Sequence, residues 1–202
     1  MSYRVPLLVC VALVTLAAGC VDDARSVPED RTAGTVVDSA LPIAELLTRF
    51  QATLPDSPRT LAGGAEDAER LTRVLFTALA THDTTALRTL IVSRSEFGFL
   101  YYPHSQFTRA PYALAPDLVW LTMVSASEKG AGRLLARYGG RQLRFERLVC
   151  DDSARTEGPN RVQRGCRVRF AVPDSAPREL QLFGALLTRD GRTKFLSVAN
   201  DL

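Results

Sequence analysis

The chain has 202 residues, of which 46% are hydrophobic and 23% charged, and its formal net charge is +3. This apolar content with so low a net charge excludes a chain that is disordered throughout. A single long apolar run excludes a protein with several membrane spans, and the length suits one domain with a leader and a tail.

The first residues predict an export signal. Arg4 and the amino terminus precede an apolar stretch from Leu7 to Ala18. As a helix at ~1.5 Å per residue this stretch covers about 18 Å, whereas the hydrocarbon core of a bilayer is ~30 Å thick. A signal peptide over residues 1–19 therefore fits the stretch better than a membrane span.

The end of this segment is Leu16-Ala17-Ala18-Gly19-Cys20, a row of small residues before a cysteine. It resembles the lipobox of bacterial lipoproteins. The resemblance implies that Cys20 becomes the first mature residue, that it carries a diacylglycerol thioether, and that its amino group is acylated. The protein is then held at the cell membrane or the outer membrane, facing the periplasm or the cell surface. An ordinary secretory peptide with a coincidental cysteine is the alternative.

Residues 20–40 are predicted to be the lipidated cysteine and a flexible tether. Residues 21–40 contain five acidic and two basic side chains and no apolar periodicity. Such a segment cannot bury enough apolar surface to order itself. The folded domain is therefore expected over residues 41–202.

Apolar side chains then recur at helical spacing in four segments. We expect helices over residues 42–54, 66–82, 84–91 and 116–138. Asp83 is the predicted N-cap of the third helix, and Ser93 and Glu96 have the spacing of a capping box, so a further turn begins there. Residues 97–115 hold six aromatic side chains and two prolines and do not fit one regular element.

The last sixty or so residues alternate between apolar and polar positions, as strands do. We expect strands over residues 141–150, 165–173, 178–189 and 193–200, with Asp190-Gly191 as a hairpin turn. Helices followed by such a meander predict an α+β fold, in which N-terminal helices pack on a C-terminal curved antiparallel sheet of about four strands.

The segment from Leu79 to Leu87, in which Asp83 separates a long helix from a short one, and the sheet that follows are similar to the nuclear-transport-factor-2-like superfamily. The resemblance spans residues 65–202. It implies a cone-shaped α+β fold whose sheet wraps a pocket. That pocket holds small apolar ligands in some members and is closed in others, and many members have no catalytic activity.

Cys150 and Cys166 are the two cysteines left in the predicted domain. In an exported domain they are expected to form a disulfide. Closing a loop of ~15 residues stabilises a fold by about 3 kcal/mol in the chain-entropy model. A redox-active pair is the alternative, but such pairs usually have the Cys-x-x-Cys spacing.

The sequence contains no motif for nucleophilic catalysis, nucleotide binding or metal binding. We therefore predict no catalytic residue, no cofactor and no metal. His82, at a helix end, is interpreted as a capping residue. His104 is the better acid–base candidate because it lies beside two tyrosines. Together with Tyr101, Tyr102 and Trp120 it forms the candidate pocket.

Ten arginines and four acidic residues lie between positions 133 and 169. Alternation along the predicted strands indicates one basic sheet face with Arg144, Arg167 and Arg169. Such a face suits lipid headgroups, an anionic envelope polymer or a protein partner. The alternative is an ordinary solvated face, because the whole chain uses arginine in place of lysine.

These features favour a membrane-anchored, non-catalytic binding or scaffolding domain of the cell envelope. One alternative is a small-molecule carrier or enzyme with an apolar pocket between helices and sheet. Another is contact with envelope polymer or lipid headgroups through the arginine-rich face. The expected partners are the membrane, through the anchor, and a small apolar ligand or an envelope protein. Nucleic acid is not an expected partner of an exported domain.

Cys20→Ser is expected to abolish incorporation of radioactive fatty acid when the chain is produced in a bacterial host, because the thioether and the processing site both depend on that sulfur. Cys10→Ser is the matched control and should keep the label, since Cys10 lies within the predicted leader. Label retained by the Cys20 variant would overturn the lipoprotein prediction.

Overall fold

Helices occupy the first part of the computed structural model, which describes residues 41–151 and 154–202. The helices are α1 (Ile43–Ala52), α2 (Ala68–Ala80), α3 (Thr84–Thr89), α4 (Arg94–Glu96) and α5 (Pro116–Tyr138). The predicted signal peptide, Cys20 and the tether lie outside the described residues. After α4 the chain makes a π-helical turn at Phe97–Tyr101 and two 3₁₀ turns, at Tyr102–His104 and Gln106–Thr108.

Side chains at the helix N-termini accept hydrogen bonds from backbone N–H groups that the helix itself leaves unpaired. Asp83 accepts from the N–H of Ala86 at 2.8 Å, which confirms it as the N-cap of α3. Ser93 and Glu96 bond each other's backbone N–H groups reciprocally, so the predicted capping box is confirmed as well.

Seven strands follow in the described part of the chain, and they form two antiparallel sheets. The strands are β1 (Arg144–Val149), β2 (Arg155–Glu157), β3 (Asn160–Arg164), β4 (Arg167–Ala171), β5 (Arg178–Leu180), β6 (Ala185–Arg189) and β7 (Arg192–Ser197). One sheet has the order β1-β4-β5 and the other the order β2-β3-β6-β7. The α+β prediction is confirmed.

The strands differ from the expected four in two places. The run 178–189 is divided into β5 and β6, which belong to different sheets. The connecting residues Leu182 and Phe183 are buried while crossing between the sheets, and this is why the whole run is apolar. The hairpin of β2 and β3 was not expected, because Val162 is its only large apolar side chain and no alternation marks it.

The predicted disulfide between Cys150 and Cys166 is confirmed. Cys150 follows β1 and Cys166 precedes β4, next to the paired residues Val149 and Arg167. The chain between the two cysteines carries the β2–β3 hairpin into the other sheet. The bond therefore fixes the point at which the chain leaves the first sheet and returns to it.

Two apolar cores stabilise the fold, and aromatic rings lie at the centre of each. In the first, Phe76 of α2 packs against Phe170 of β4 with ring centroids 5.5 Å apart. In the second, Phe97 is completely buried among four aromatic rings at centroid distances from 5.3 to 5.9 Å. Those rings belong to Phe50, Tyr101, Tyr102 and Trp120.

A buried ion pair joins strand β7 to the helical layer. Nζ of Lys194 donates to the two carboxylate oxygens of Glu96 at 2.8 and 3.1 Å, and the two side chains are 4% and 3% exposed. Nζ also donates to the carbonyl of Ala62 at 2.8 Å, while the N–H groups of Ala62 and Ser93 each donate to Glu96 at 2.7 Å. These bonds compensate the desolvation of both charges.

The outer edge of β7 is closed by the chain before α2 and by the chain after α3. Ala65 and Thr193 exchange two backbone hydrogen bonds, and Val92 donates to the carbonyl of Phe195 at 2.9 Å. Gly64 has φ +68° and lies so close to the Thr193 carbonyl that a Cβ atom would not fit. The edge is thus unavailable for pairing with another chain.

Lys194→Met is expected to lower the free energy of unfolding by about 3–5 kcal/mol, because it leaves the Glu96 carboxylate buried without its cation. The double variant Glu96→Gln, Lys194→Met should recover part of that loss. Lys129→Met, at an exposed position on α5, is the matched control and should change little. Urea unfolding measures the free energy of unfolding of the single variant, the double variant and the control. A Lys194 variant as stable as the wild type would contradict this role of the pair.

Candidate functional site

A cavity of about 450 Å³ lies between the N-terminal half of α5 and strands β6 and β7. We call it the α5 cavity. It is partly open to solvent, and its walls are mainly apolar. The side chains that shape it most are Tyr101, Phe107, Leu114, Leu118, Met123 and Leu196.

The α5 cavity lies on the N-terminal side of a contact between the middle of α5 and the chain after β7. There Ser127 Oγ accepts a hydrogen bond from the N–H of Val198 at 3.1 Å, and Asn200 donates to the carbonyl of Gly130 at 3.1 Å. A side chain at position 130 would collide with the Val198 carbonyl, so glycine is required for this contact. Toward its N-terminus α5 lines the cavity with Leu118, Val119, Thr122 and Met123, and residues of β6 and β7 line its strand side.

The aromatic segment 97–115 contributes a further wall of the α5 cavity. The π-helical turn carries Tyr101 to the cavity, and the phenol of Tyr102 donates to the Leu114 carbonyl at 2.5 Å. Phe107 and Tyr112 pack edge to face with ring centroids 5.9 Å apart. The irregular segment thus contributes a mainly apolar wall through Tyr101, Phe107 and Leu114.

Arg164, at the end of β3, is the one charged side chain in the lining of the α5 cavity among the described residues. It forms no ion pair in that part of the chain, and a side-chain hydrogen bond relates it to the Tyr101 phenol. Burial raises the pKa of the neighbouring Tyr101 phenol to about 12, with a further rise from Glu157, while Arg164 lowers it. The phenol therefore stays protonated and is able to donate a hydrogen bond.

Glu157 lies behind this polar end of the cavity. The residue is only 4% exposed, and its two carboxylate oxygens have no hydrogen-bond partner among the described residues. Burial raises the pKa of the carboxyl above its ordinary range, and the charges of Arg164, Arg155 and Arg109 act against that rise. Three guanidinium groups thus lie near one carboxylate whose ionised form is disfavoured by burial.

The β2–β3 hairpin holds Glu157 in this position. Asn160, which pairs with Glu157 across the turn, donates to the Leu100 carbonyl of the π-helical turn at 2.7 Å. Gly158 adopts φ +60° in the turn, and the imidazole of His104 lies directly over it. The hairpin is therefore clamped to the aromatic segment from both sides.

The four side chains of the candidate pocket do not line one cavity. Tyr101 lines the α5 cavity, whereas Tyr102 is fully buried in the second core. His104 is exposed beside Gly158. Trp120 lines a second cavity of about 540 Å³, between α5 and the chain of α3 and α4. We call this the α3–α5 cavity.

Sequence reasoning did not single out Arg164 or Glu157. Both belong to the hairpin whose polar sequence carried no strand signal, so nothing in the sequence related them to Tyr101.

His82, interpreted as a capping residue, follows the C-terminus of α2 with φ +52°, and its imidazole lies against Gly139 and Gly140 after α5.

The arginine-rich face lies on β1 and β4. Arg144, Arg167 and Arg169 are exposed, as expected. Glu146 pairs with Arg144 and Arg169 at 3.0 Å, and Glu179 pairs with Arg167 at 3.5 Å. A hydrogen bond from the nearby Arg147 lowers the pKa of Glu179. The carboxylates neutralise part of the positive charge on this face.

No group of three or more histidine, cysteine or acidic side chains in residues 41–151 and 154–202 is placed to hold a metal ion. Within those same residues, the helices lack the length and apolar character that crossing a bilayer requires.

Glu157→Gln is expected to raise the free energy of unfolding at neutral pH by about 1 kcal/mol or more, because a buried, unpartnered ionisable group is removed. The folded-state pKa of Glu157 is raised, so the unfolded chain ionises first as the pH increases. As the pH rises from the ordinary glutamate pKa to the raised one, the free energy of unfolding of the wild type therefore falls. The variant has no carboxyl group at this position and does not show this fall.

Thermal unfolding at several pH values from acid to neutral measures the difference in stability between Glu157→Gln and the wild type. This difference should vanish at low pH. Glu66→Gln, at an exposed position, is the control and should show no such trend. If Glu157→Gln were more stable than the wild type by the same amount at every pH, ionisation of Glu157 would not be the cause.

Comparison of the chain with models of protein families, with curated proteins and with solved structures gives no match. The lipobox and the likeness to the nuclear-transport-factor-2-like superfamily therefore remain predictions.

Proposed function

We propose that this chain is a bacterial lipoprotein whose domain is a non-catalytic binding module that carries a small apolar ligand in the α5 cavity. The observation behind the proposal is a mainly apolar cavity of about 450 Å³ between a helix and a sheet. Ligand sites in proteins typically measure ~300–1,000 Å³ and combine apolar walls with a few polar groups.

Burial of apolar ligand surface supplies the driving force. A ligand that buries ~400 Å² gains about 10 kcal/mol at ~25 cal/mol per Å². Association costs ~4 kcal/mol or more, so about 6 kcal/mol remains, which corresponds to a dissociation constant of roughly tens of micromolar. Tighter binding requires a polar anchor, and the polar end of the cavity provides one in Arg164 and Tyr101.

The polar groups of the cavity suit binding better than catalysis. The guanidinium of Arg164 does not give up its proton in proteins. A phenol with a pKa of about 12 is a poor proton donor and a poor base at neutral pH. Both groups are therefore fixed hydrogen-bond donors, which favours a carrier or binding role.

The anchor belongs to the same proposal. Lipidation at Cys20 would place the domain at the cell membrane or the outer membrane, in the envelope. A flexible tether of ~20 residues has a mean end-to-end distance of about 25 Å. A domain anchored over such a distance would have its cavity within reach of the lipid headgroups.

Native mass spectrometry of residues 21–202, exported to an oxidising compartment and purified gently, is expected to show a persistent extra mass on the disulfide-bonded chain. Ala185→Phe should remove that mass, because Ala185 lines the α5 cavity and a phenyl ring occupies the space. Ala126→Phe, on the lining of a different cavity beside α5, is the matched control and should retain the mass.

A wild-type chain that is bare in every preparation, and that also fails to take up apolar compounds added to it, would overturn the carrier proposal. Ala185→Phe that keeps the extra mass would place the ligand elsewhere.

A further inference from the structure

The proposed carrier function leaves the chemistry of the ligand open, and two features of the cavities narrow it. One is the charge at the end of the α5 cavity. The other is the common wall between that cavity and the α3–α5 cavity. Together they describe a molecule with one charged end and one long apolar end.

The charged end is defined by Arg164. It is a cation in the lining of a mainly apolar cavity and has no carboxylate partner among the described residues. Arg155 and Arg109 lie near enough to act on Glu157 together with it, and Arg155 bonds only the neutral amide of Gln106 in the part of the chain described. Three guanidinium groups act on one carboxylate, and Arg164 is the one of them that lines the cavity, so the charge at this end is positive and an anion is favoured.

The α3–α5 cavity has no comparable excess of charge. Its lining includes Arg88, Arg94 and Glu128. Arg94 pairs with Asp117 at 3.5 Å, and its guanidinium lies 4.8 Å from the Phe50 ring centroid. With Asp117 counted, two guanidinium groups and two carboxylates lie in or beside this lining, and the remaining lining is largely apolar. This cavity suits an uncharged chain end.

Met123 and Leu196 line both cavities. A methionine side chain is unbranched and changes rotamer easily. Spaces of about 450 and 540 Å³ therefore meet at a side chain whose movement would join them. A bulky fused-ring ligand cannot follow such a passage, whereas a single flexible hydrocarbon chain can.

We infer that the ligand is a single-chain anionic amphiphile, with its carboxylate or phosphate on Arg164 and Tyr101 and its hydrocarbon chain passing Met123 into the α3–α5 cavity. This inference rests on the proposed carrier function and assigns the ligand class for the same site. Trp120 lines the α3–α5 cavity and is the chain's single tryptophan, so its fluorescence reports where the tail ends.

Calorimetric titration tests the headgroup of the ligand. The chain 21–202 is first freed of any bound ligand and is then titrated with hexadecanoate, hexadecyl phosphate or hexadecanol. The two anions are expected to bind about tenfold or more tightly than the alcohol, since a charge-assisted hydrogen bond is worth at least that factor. The tighter of the two anions identifies the headgroup. Arg164→Gln should remove the difference between anion and alcohol, whereas Arg161→Gln, exposed on the same strand, should preserve it.

The tail is tested with octadecanoate brominated either near its methyl end or near its carboxylate. Bromine quenches tryptophan on contact, so the methyl-end compound should quench Trp120 more strongly. Equal quenching by the two compounds would overturn the placement of the tail.

The outcomes separate the inference from the carrier proposal. If the alcohol binds as tightly as the anions and Arg164→Gln has no effect, the anionic ligand class is wrong while the carrier function stands. If a native extra mass is present but none of the three compounds binds, the ligand class is again wrong. Absence of both the extra mass and any binding would overturn the two together.

Discussion

The arrangement of the domain depends on the buried ion pair between Lys194 and Glu96. Removing two charges from water is costly, and the cost is offset here by hydrogen bonds from Ala62 and Ser93 to the same groups. The pair joins β7, the last strand of the four-stranded sheet, to the capping box that begins α4. The π-helical turn that carries Tyr101 follows α4 directly. The ion pair, which fixes the start of α4, therefore also helps to position Tyr101 in the cavity wall.

A second constraint is the contact of α5 with the sheet. Gly130 and Ser127 allow the helix to touch the chain after β7, and the aromatic cluster around Phe97 holds Trp120 at the other end. Between these contacts the helix spans an apolar space that its own side chains do not fill. Apolar walls without partner atoms forgo dispersion contacts, and an occupant of the cavity restores them and stabilises the fold by mass action. Met123 lies where the two cavities meet.

The features predicted from the sequence depend on near neighbours along the chain. Asp83 and the Ser93–Glu96 capping box act over three residues, so residue type and spacing predict them directly. The disulfide was predictable because only Cys150 and Cys166 remained in the domain. The β2–β3 hairpin was not, because its strands are polar and gain their place through pairing with β6. For the same reason Arg164 and Glu157 could not be related to Tyr101 in advance.

By itself the sequence determined the α+β class, the helix starts and the disulfide. Periodicity and capping depend on neighbouring residues, and the disulfide followed because only two cysteines remained in the domain. Tertiary structure alone decided which side chains share a cavity. Tyr101, Tyr102, His104 and Trp120 are close in sequence or alike in type, yet Tyr101 lines the α5 cavity, Trp120 lines the α3–α5 cavity, Tyr102 is fully buried and His104 is exposed. Side-chain direction in an irregular segment follows from long-range packing, and no local pattern encodes it.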